Sequence, residues 1–287
     1  MQRRAAVLGS PIAHSRSPRL HRAAYQSLGL LWRYEAVEVR AGELSSFLEG
    51  CGPDWVGFSL TMPLKDEAWA LADQRDVVAE QTRCANTLIR NEHGWSAANT
   101  DVEGLVTAVT VLLQDRPVTD KALAVEPASL ATAVVIGSGA TARSAAAAVA
   151  ALGVQAIHVC ARNLETAQAV LEVATACGIR QATTGPLTQA ADVVGNADLV
   201  VSTLPGSAAG EIIEQVTHRA GAGSSRQGIL VDVAYDPWPS ALAQAWQPAP
   251  AISGLDMLLW QAVAQVELMT GRRPAVEPMW MAVHETP

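Results

Sequence analysis

Short apolar runs alternate with segments of helical period along most of the chain, and their order predicts an architecture. Ala5 to Leu8 is apolar and is stopped by Gly9-Ser10-Pro11, the pattern of a strand feeding a loop at its carboxyl end. Pro18 to Leu28 carries Leu20, Ala23, Ala24 and Leu28 at helical spacing, and Gly29 follows as a stop signal. Tyr34 to Val39 alternates as a strand does, Leu44 to Glu49 reads as a short helix, and Trp55 to Leu60 as a further strand. Strand, helix, strand, helix, strand in this order predicts a mainly parallel sheet. Loops at the carboxyl ends of such sheets are where ligands sit.

The rhythm restarts after Asp101. Val102 to Leu113 reads as an apolar-faced connecting helix, and Gln114 to Ser129, charged, Pro-containing and without period, as a surface loop. Ala133 to Ile136 is a buried strand. Ala140 to Leu152 is an Ala-rich helix whose small side chains allow close approach to a sheet. Further strands are expected at Ala156 to Cys160, Leu199 to Thr203 and Ile229 to Val233, with helices between them, which is the Rossmann pattern. The last helix, Leu255 to Met269, stops at Gly271 and leads into a Pro-containing tail. A length of 287 residues supports two cores, so the expected fold class is α/β in two domains.

Composition narrows the classes of function. With 49% hydrophobic and 17% charged residues the chain is globular. Its net charge of −8, with no Lys or Arg run longer than two, gives no field to gather a polyanion, so nucleic acid is not an expected partner. A small-molecule anion would have to be held by local devices such as hydroxyls, backbone N–H groups or a placed cation. The cysteines Cys51, Cys84, Cys160 and Cys177 are scattered, without C-x-x-C pairing or a nearby His at ligand spacing, and read as reduced thiols rather than metal ligands. No apolar run approaches the ~18 residues of a membrane span, and the apolar stretch near the N-terminus is too short for a signal peptide. A cytoplasmic protein with no membrane partner is expected, a monomer or homodimer.

Gly137-Ser138-Gly139-Ala140-Thr141-Ala142 follows a predicted strand and opens a predicted helix, the context a dinucleotide fingerprint requires. Gly137 makes the tight turn, Gly139 lets the backbone approach a pyrophosphate, and Ala142 stands where the pattern accepts Gly or Ala. The helix start turns its N–H groups and positive dipole end toward phosphate. About twenty residues on, where an NAD enzyme places an Asp or Glu for the ribose 2′-hydroxyl, the chain has Ala161-Arg162-Asn163. Lacking a carboxylate that would repel a 2′-phosphate, and with a guanidinium able to bind one, the site favours NADP. Read alone, Arg162 is equally a solvated charge at a strand end.

Several pieces fall into one order: Ser15-Arg16-Ser17-Pro18, Thr61-Met62-Pro63-Leu64-Lys65, Ala85-Asn86-Thr87, Asn99-Thr100-Asp101-x-x-Gly104, the glycine loop, Asp232-x-x-Tyr235-x-Pro237, and Gly254-x-x-Met257-Leu258-x-x-Gln261. In this order, from about residue 6 to about residue 274, the chain resembles the shikimate dehydrogenase family. The resemblance implies a substrate domain over residues 1–101, completed by C-terminal helices in 255–287, and a Rossmann domain over 102–254 inserted between them. It also implies NADP-dependent interconversion of 3-dehydroshikimate and shikimate in a cleft between the domains.

Carried over residue by residue, Ser15 and Ser17 match hydroxyls that bind the substrate carboxylate, with Tyr235 as a third donor. Lys65 and Asp101 match the paired catalytic residues. A ketone reduced by hydride leaves an alkoxide that must gain a proton: a Lys ammonium can stabilise it and act as general acid, a nearby carboxylate can hold that Lys and in reverse help accept the proton, and sequence leaves open which of the two moves it. Without the resemblance Lys65 reads as a surface lysine at a helix start and Asp101 as a helix N-cap, as Ser17 does before Pro18. Asn86, Thr61 and Gln261 match residues that bond the substrate hydroxyls, and Thr203, Gly254 and Met257 resemble positions at the nicotinamide end.

The chain departs from the family where Ser59 replaces the usual Asn, taking an amide from the substrate wall, and where Thr166 replaces a second Arg. These departures keep in view an NAD-dependent quinate/shikimate dehydrogenase; a second alternative, from another class, is a catalytically silent NADP-binding regulator on the same fold, against which the presence of both Lys65 and Asp101 speaks. His14 and His21 read as packed or surface side chains, and the eight Trp as packing residues.

Overall fold

The computed structural model describes residues 2–114, 130–205, 210 and 228–284, so the loop expected over 114–129 lies almost wholly outside the described residues. The chain divides into two compact units, one formed by residues up to 104 together with those from 258 onward, the other by the described residues between. Both boundaries fall within helices, Asp101–Leu113 and Gly254–Thr270, a turn later than sequence reading sets them. A helix crossing between units carries no linker composition, so nothing in the residues marks the point of passage.

In the first unit, β1 (Arg4–Gly9), β2 (Arg33–Glu38), β3 (Trp55–Leu60), β4 (Gln74–Arg75), β5 (Thr87–Arg90) and β6 (Trp95–Ala98) form, among the described residues, a sheet ordered β2-β1-β3-β5-β6-β4. The pairs β1–β2, β1–β3 and β4–β6 are parallel, whereas β3–β5 and β5–β6 are antiparallel. The β5–β6 hairpin has no counterpart in the sequence reading because four-residue strands are too short to display a period. Its turn depends on Gly94 at φ +147, where any side chain would run into the Asp73 carboxylate that accepts the Trp95 N–H.

Helices α1 (Ser17–Ser27), α2 (Leu44–Glu49), α3 (Lys65–Leu71), α4 (Val77–Thr82) and α5 (Asp101–Leu113) connect these strands and lead out of the sheet. Helix α1 buries Leu20, His21, Ala24 and Tyr25 on one face and ends at Gly29, whose φ of +67 closes the Leu30 N–H onto Tyr25 O at 2.8 Å. The core is centred on Phe58, with Trp55 and Trp95 at 5.0 and 5.1 Å between ring centroids. Arg4 and Arg90 lie over those two indoles at 4.1 and 4.4 Å, so their stems cover apolar surface while their charge stays near water.

In the second unit, β7 (Thr132–Ile136), β8 (Ala156–Ala161), β9 (Gln181–Pro186), β10 (Leu199–Ser202), β11 (Ile229–Asp232) and β12 (Ala251–Ser253) pair in the order β12-β11-β10-β7-β8-β9, all parallel. Read from β9, this is the doubly wound order 3-2-1-4-5-6, with its switch point between β7 and β10. Helix α6 (Ala140–Ala151) buries Ala142 and Ala145 to Ala148. Helices α7 (Leu164–Ala176), α8 (Ala190–Val193) and α9 (Ala241–Trp246) follow among the described residues, and Trp246 donates its indole N–H to Gly228 O at 3.1 Å.

Helix α10 (Gly254–Thr270) returns the chain to the first unit, where the Pro-containing tail forms one more helix, α11 (Val276–His284), packed on α1. Pro278 lies in the first turn of α11, where a missing N–H costs no helical bond. Among the described residues no helix is long and apolar enough to cross a membrane.

Candidate functional site

Lys65 opens α3 and Asp101 opens α5, and the loops before the two helices bring them together: Lys65 Nζ donates to Asp101 Oδ2 at 2.5 Å. The side chains are 13% and 7% exposed, so neither is the surface residue or solvated cap that it resembles in isolation. Capping at Asp101 comes instead from Asn99, whose Oδ1 accepts the Asp101 N–H at 3.2 Å. A lysine at a helix start faces the positive end of the helix dipole and is disfavoured there, while a carboxylate in a first turn is favoured. The ion pair therefore sets a poorly placed cation against a well placed anion, and holds an ammonium largely out of water.

The other oxygen of Asp101 is also engaged. Asn86, immediately before β5, donates from Nδ2 to Asp101 Oδ1 at 2.8 Å and lies within reach of Thr100 Oγ1 and Gln261 Oε1 at 2.9 and 3.1 Å. Its Oδ1 accepts from Thr100 N at 2.9 Å and from Thr87 Oγ1 at 2.8 Å, which fixes which end of the amide faces the carboxylate. Gln261, on α10, donates to Leu258 O at 2.8 Å. Lys65, Asp101, Asn86 and Gln261, dispersed in sequence, thus form one cluster in the first unit.

Ser15 and Ser17 precede and open α1. The Ser17 N–H donates to Ser15 Oγ at 3.3 Å and the helix cap is Arg16, so Ser17 is not the N-cap that its place before Pro18 suggests. Thr61 follows β3; its N–H bonds Leu8 O at 2.9 Å, and its methyl fills the space where a side chain on Gly9 would go. Ser59 corrects an expectation. Its hydroxyl accepts from Tyr34 Oη at 2.6 Å and donates to Gln265 Oε1 at 2.7 Å, both buried, so it is committed behind the site rather than to a substrate wall.

His21 stacks on Tyr34 at 3.9 Å between centroids, is fully buried, and has its Nδ1 3.1 Å from Ser17 O. Burial lowers its pKa to about 4, the Ser17 carbonyl opposing only in part. The folded chain therefore binds fewer protons here than the unfolded chain at mildly acid pH, and the stabilisation from a neutral His21 is complete above pH ~6.5 and lost as pH falls toward ~4. On that basis about 3 kcal/mol should disappear across this window. Urea unfolding at pH 7 and pH 5 checks it: His21→Phe should lose less stability between those pH values than the parent, and equal losses would refute the assignment.

In the second unit the glycine loop lies where a dinucleotide cradle requires. Gly137 follows β7 at φ +118, and a side chain on it would collide with Thr203 Oγ1, itself anchored to Ile136 O at 2.9 Å. Gly139 caps α6 without a side chain, and the space where its Cβ would stand is open. Ser138 Oγ and Thr166 Oγ1 are 2.7 Å apart, tying the loop to the start of α7. Asn163 caps α7 through Oδ1, accepting from Glu165 N at 2.9 Å and Thr166 N at 3.4 Å, while Arg162 beside it is exposed.

Gly254 stands where any Cβ would meet the Val233 carbonyl, so the chain approaches β11 there more closely than a side chain permits. Met257 is buried and Tyr235 half-buried. Asp232 is a support: burial pushes its carboxyl above the usual range against hydrogen bonds from Ser240, at 2.6 Å, and Ala234 N. Ser240 in turn caps α9.

Gln265 was not singled out in the sequence. It lies one helical turn beyond Gln261 on α10, and an i, i+4 amide pair on a buried helix was the available signal. Among the described residues no group of three or more His, Cys, Asp or Glu is arranged to hold a metal.

Residues 7–88 match a family model described as the shikimate dehydrogenase substrate binding domain, 121–237 one for shikimate/quinate 5-dehydrogenase, and 254–284 the shikimate 5′-dehydrogenase C-terminal domain. The chain is 31% identical over 282 residues to a shikimate dehydrogenase (NADP(+)) of Rhizobium rhizogenes, covering 96% of this chain and 92% of the relative. Among solved structures it is similar to Mycobacterium tuberculosis shikimate dehydrogenase, with 40% identity, TM-score 0.84, and coverage of 99% and 100%. It is similar also to a Thermus thermophilus shikimate 5-dehydrogenase in complex with NADP(H) and shikimate, with 28% identity, TM-score 0.78, and 99% of each chain covered.

Proposed function

The chain belongs to the shikimate dehydrogenase family, and on that premise we propose that it interconverts 3-dehydroshikimate and shikimate with NADP as redox partner. The observation that carries this reading is the Lys65–Asp101 pair, held at 2.5 Å with Asn86 on the second carboxylate oxygen. In the direction of reduction, Lys65 holds a proton at the carbonyl oxygen and stabilises the alkoxide charge as it develops. Asp101 keeps the ammonium charged and aimed, and Asn86 keeps Asp101 from turning. In the oxidative direction the same pair accepts the hydroxyl proton.

Ser15 and Ser17 bind the ring carboxylate by hydroxyl donation, which suits a protein of net charge −8. Thr61, Asn86 and Gln261 bond the ring hydroxyls, because amides and hydroxyls both donate and accept. NADP, when bound, supplies or removes the hydride. The glycine loop fits it: at Gly137 a Cβ is excluded, at Gly139 the backbone is open, and α6 begins there. Gly137, Ser138, Gly139 and Ala140 would hold the pyrophosphate and Arg162 with Asn163 the 2′-phosphate, with Thr203, Gly254 and Met257 at the nicotinamide end. A cytoplasmic location accords with free thiols at Cys51, Cys84, Cys160 and Cys177.

Initial rates with shikimate or quinate and NADP or NAD test the reading. Shikimate with NADP should be fastest, and absence of shikimate-dependent NADP reduction would end the proposal. Arg162→Ala should raise KM for NADP by about tenfold or more, the worth of a lost charge-assisted bond, with KM for NAD little changed. Equal changes for the two cofactors would reassign Arg162 to a solvated strand end.

A further inference from the structure

We propose that Ser59 and Gln265, backed by Tyr34, are positioning residues that set the orientation of the Lys65–Asp101 pair through Asn86; this role rests on the oxidoreductase reading above. A continuous line of buried hydrogen bonds joins them, and its direction is fixed by proton count. The Tyr34 hydroxyl has one proton and gives it to Ser59 Oγ at 2.6 Å. Ser59 has one proton and gives it to Gln265 Oε1 at 2.7 Å. The Gln265 nitrogen must then face the other way, and it donates to Thr87 Oγ1 and Asn86 O, each at 2.9 Å. Thr87, now an acceptor, passes its own proton to Asn86 Oδ1 at 2.8 Å, and Asn86 Nδ2 turns to Asp101 Oδ1 at 2.8 Å. An ionised carboxylate only accepts, so the line cannot run in reverse.

Such a line is costly as mere packing. Phe, Ala and Leu would fill the same volume without buried polar atoms, and a partly satisfied polar network is worse than an apolar core. Its effect is on orientation. Removing the Ser59 hydroxyl leaves Gln265 Oε1 without its donor, so the amide is held only through its nitrogen, on Asn86 O and Thr87 Oγ1. A Gln265 amide held at one end sits less firmly against Thr87, and Asn86 then loses part of the support that Thr87 gives in keeping its nitrogen on Asp101. The line does not serve as a proton conduit: burial keeps the Tyr34 phenol well above its usual range, and His21 stacked on the ring holds it in place.

The test uses the full chain and Tyr34→Phe, Ser59→Ala and the double variant, with two readouts. In ligand-free protein, the side-chain amide 1H–15N resonances of Asn86 should move in both single variants, because the line of hydrogen bonds passes through that amide. In turnover, Ser59→Ala should lower kcat about tenfold and Tyr34→Phe less, with a smaller change in KM for shikimate, because the line ends on the proton-handling pair while Asn86 is only one of several groups that bond the ring hydroxyls. The double variant should match Ser59→Ala, since cutting the line at Ser59 already disconnects Tyr34. Unmoved Asn86 resonances, a loss confined to KM, or a double variant equal to the product of the singles would each overturn the inference. If Ser59→Ala does not fold, Tyr34→Phe, which removes one hydroxyl from a stacked ring, carries the same two readouts. A parent chain that turns over no shikimate would instead overturn the oxidoreductase reading, and the Asn86 resonances, measured without substrate, tell the two failures apart.

Discussion

Lys65→Ala and Asp101→Asn should each lower shikimate turnover by about three orders of magnitude, the combined scale of a lost general acid and a lost alkoxide-stabilising charge. The two changes act on different atoms of one device. Lys65→Ala removes the proton donor and leaves Asp101, buried and bonded to Asn86, with no cation opposite. Asp101→Asn keeps the shape but presents either an amide nitrogen or a neutral oxygen to an ammonium only 13% exposed, which weakens its hold on charge and direction. Because the residues work as a unit, the double variant should fall little below the worse single. Substrate binding rests on hydroxyls and amides elsewhere, so KM should change far less than kcat. Initial rates over a shikimate series, with circular dichroism to establish folding, check this; folded single variants that keep turnover within tenfold of the parent would remove the proposed chemistry.

Much of the fold was legible because its signals were local. Leu44–Glu49 and Trp55–Leu60 have the bounds their patterns predict, and the glycine turn stands between β7 and α6 as its spacing requires. What was not legible depends on partners far away in sequence. Ser59 and Gln265 bond across 206 positions, and no period in β3 or α10 tells a serine whether it faces a ligand or a glutamine. Lys65 and Asp101 show the same limit: each alone is a common residue at a common place, a helix start, and only the order of surrounding motifs joins them. The resemblance implies α11 as one of the C-terminal helices in 255–287 but not its bounds, because Pro278 suits the first turn of a helix as well as the tail after one.

Gly137→Ala and Gly139→Ala should both weaken NADP binding by at least tenfold, but for reasons that stability measurements separate. At Gly137 the backbone holds φ +118, which side-chain-bearing residues rarely adopt, and a Cβ there collides with Thr203 Oγ1. Moving Thr203 breaks its hydroxyl bond to Ile136 O, so strain and a lost bond should together cost about 2–4 kcal/mol of stability. At Gly139 the backbone is extended, at φ −84 and ψ −170, and no atom lies within 4 Å of where a Cβ would stand. Alanine there should fold as the parent does, and its only consequence should be a methyl group in the space a pyrophosphate needs at the start of α6. Calorimetric titration with NADP alongside denaturant unfolding reads both quantities. Weak binding with undiminished stability in Gly139→Ala would mark the loop as the phosphate cradle; parent-like affinity in that variant would show that the dinucleotide is held elsewhere, whatever Gly137→Ala does, since that substitution damages the turn itself.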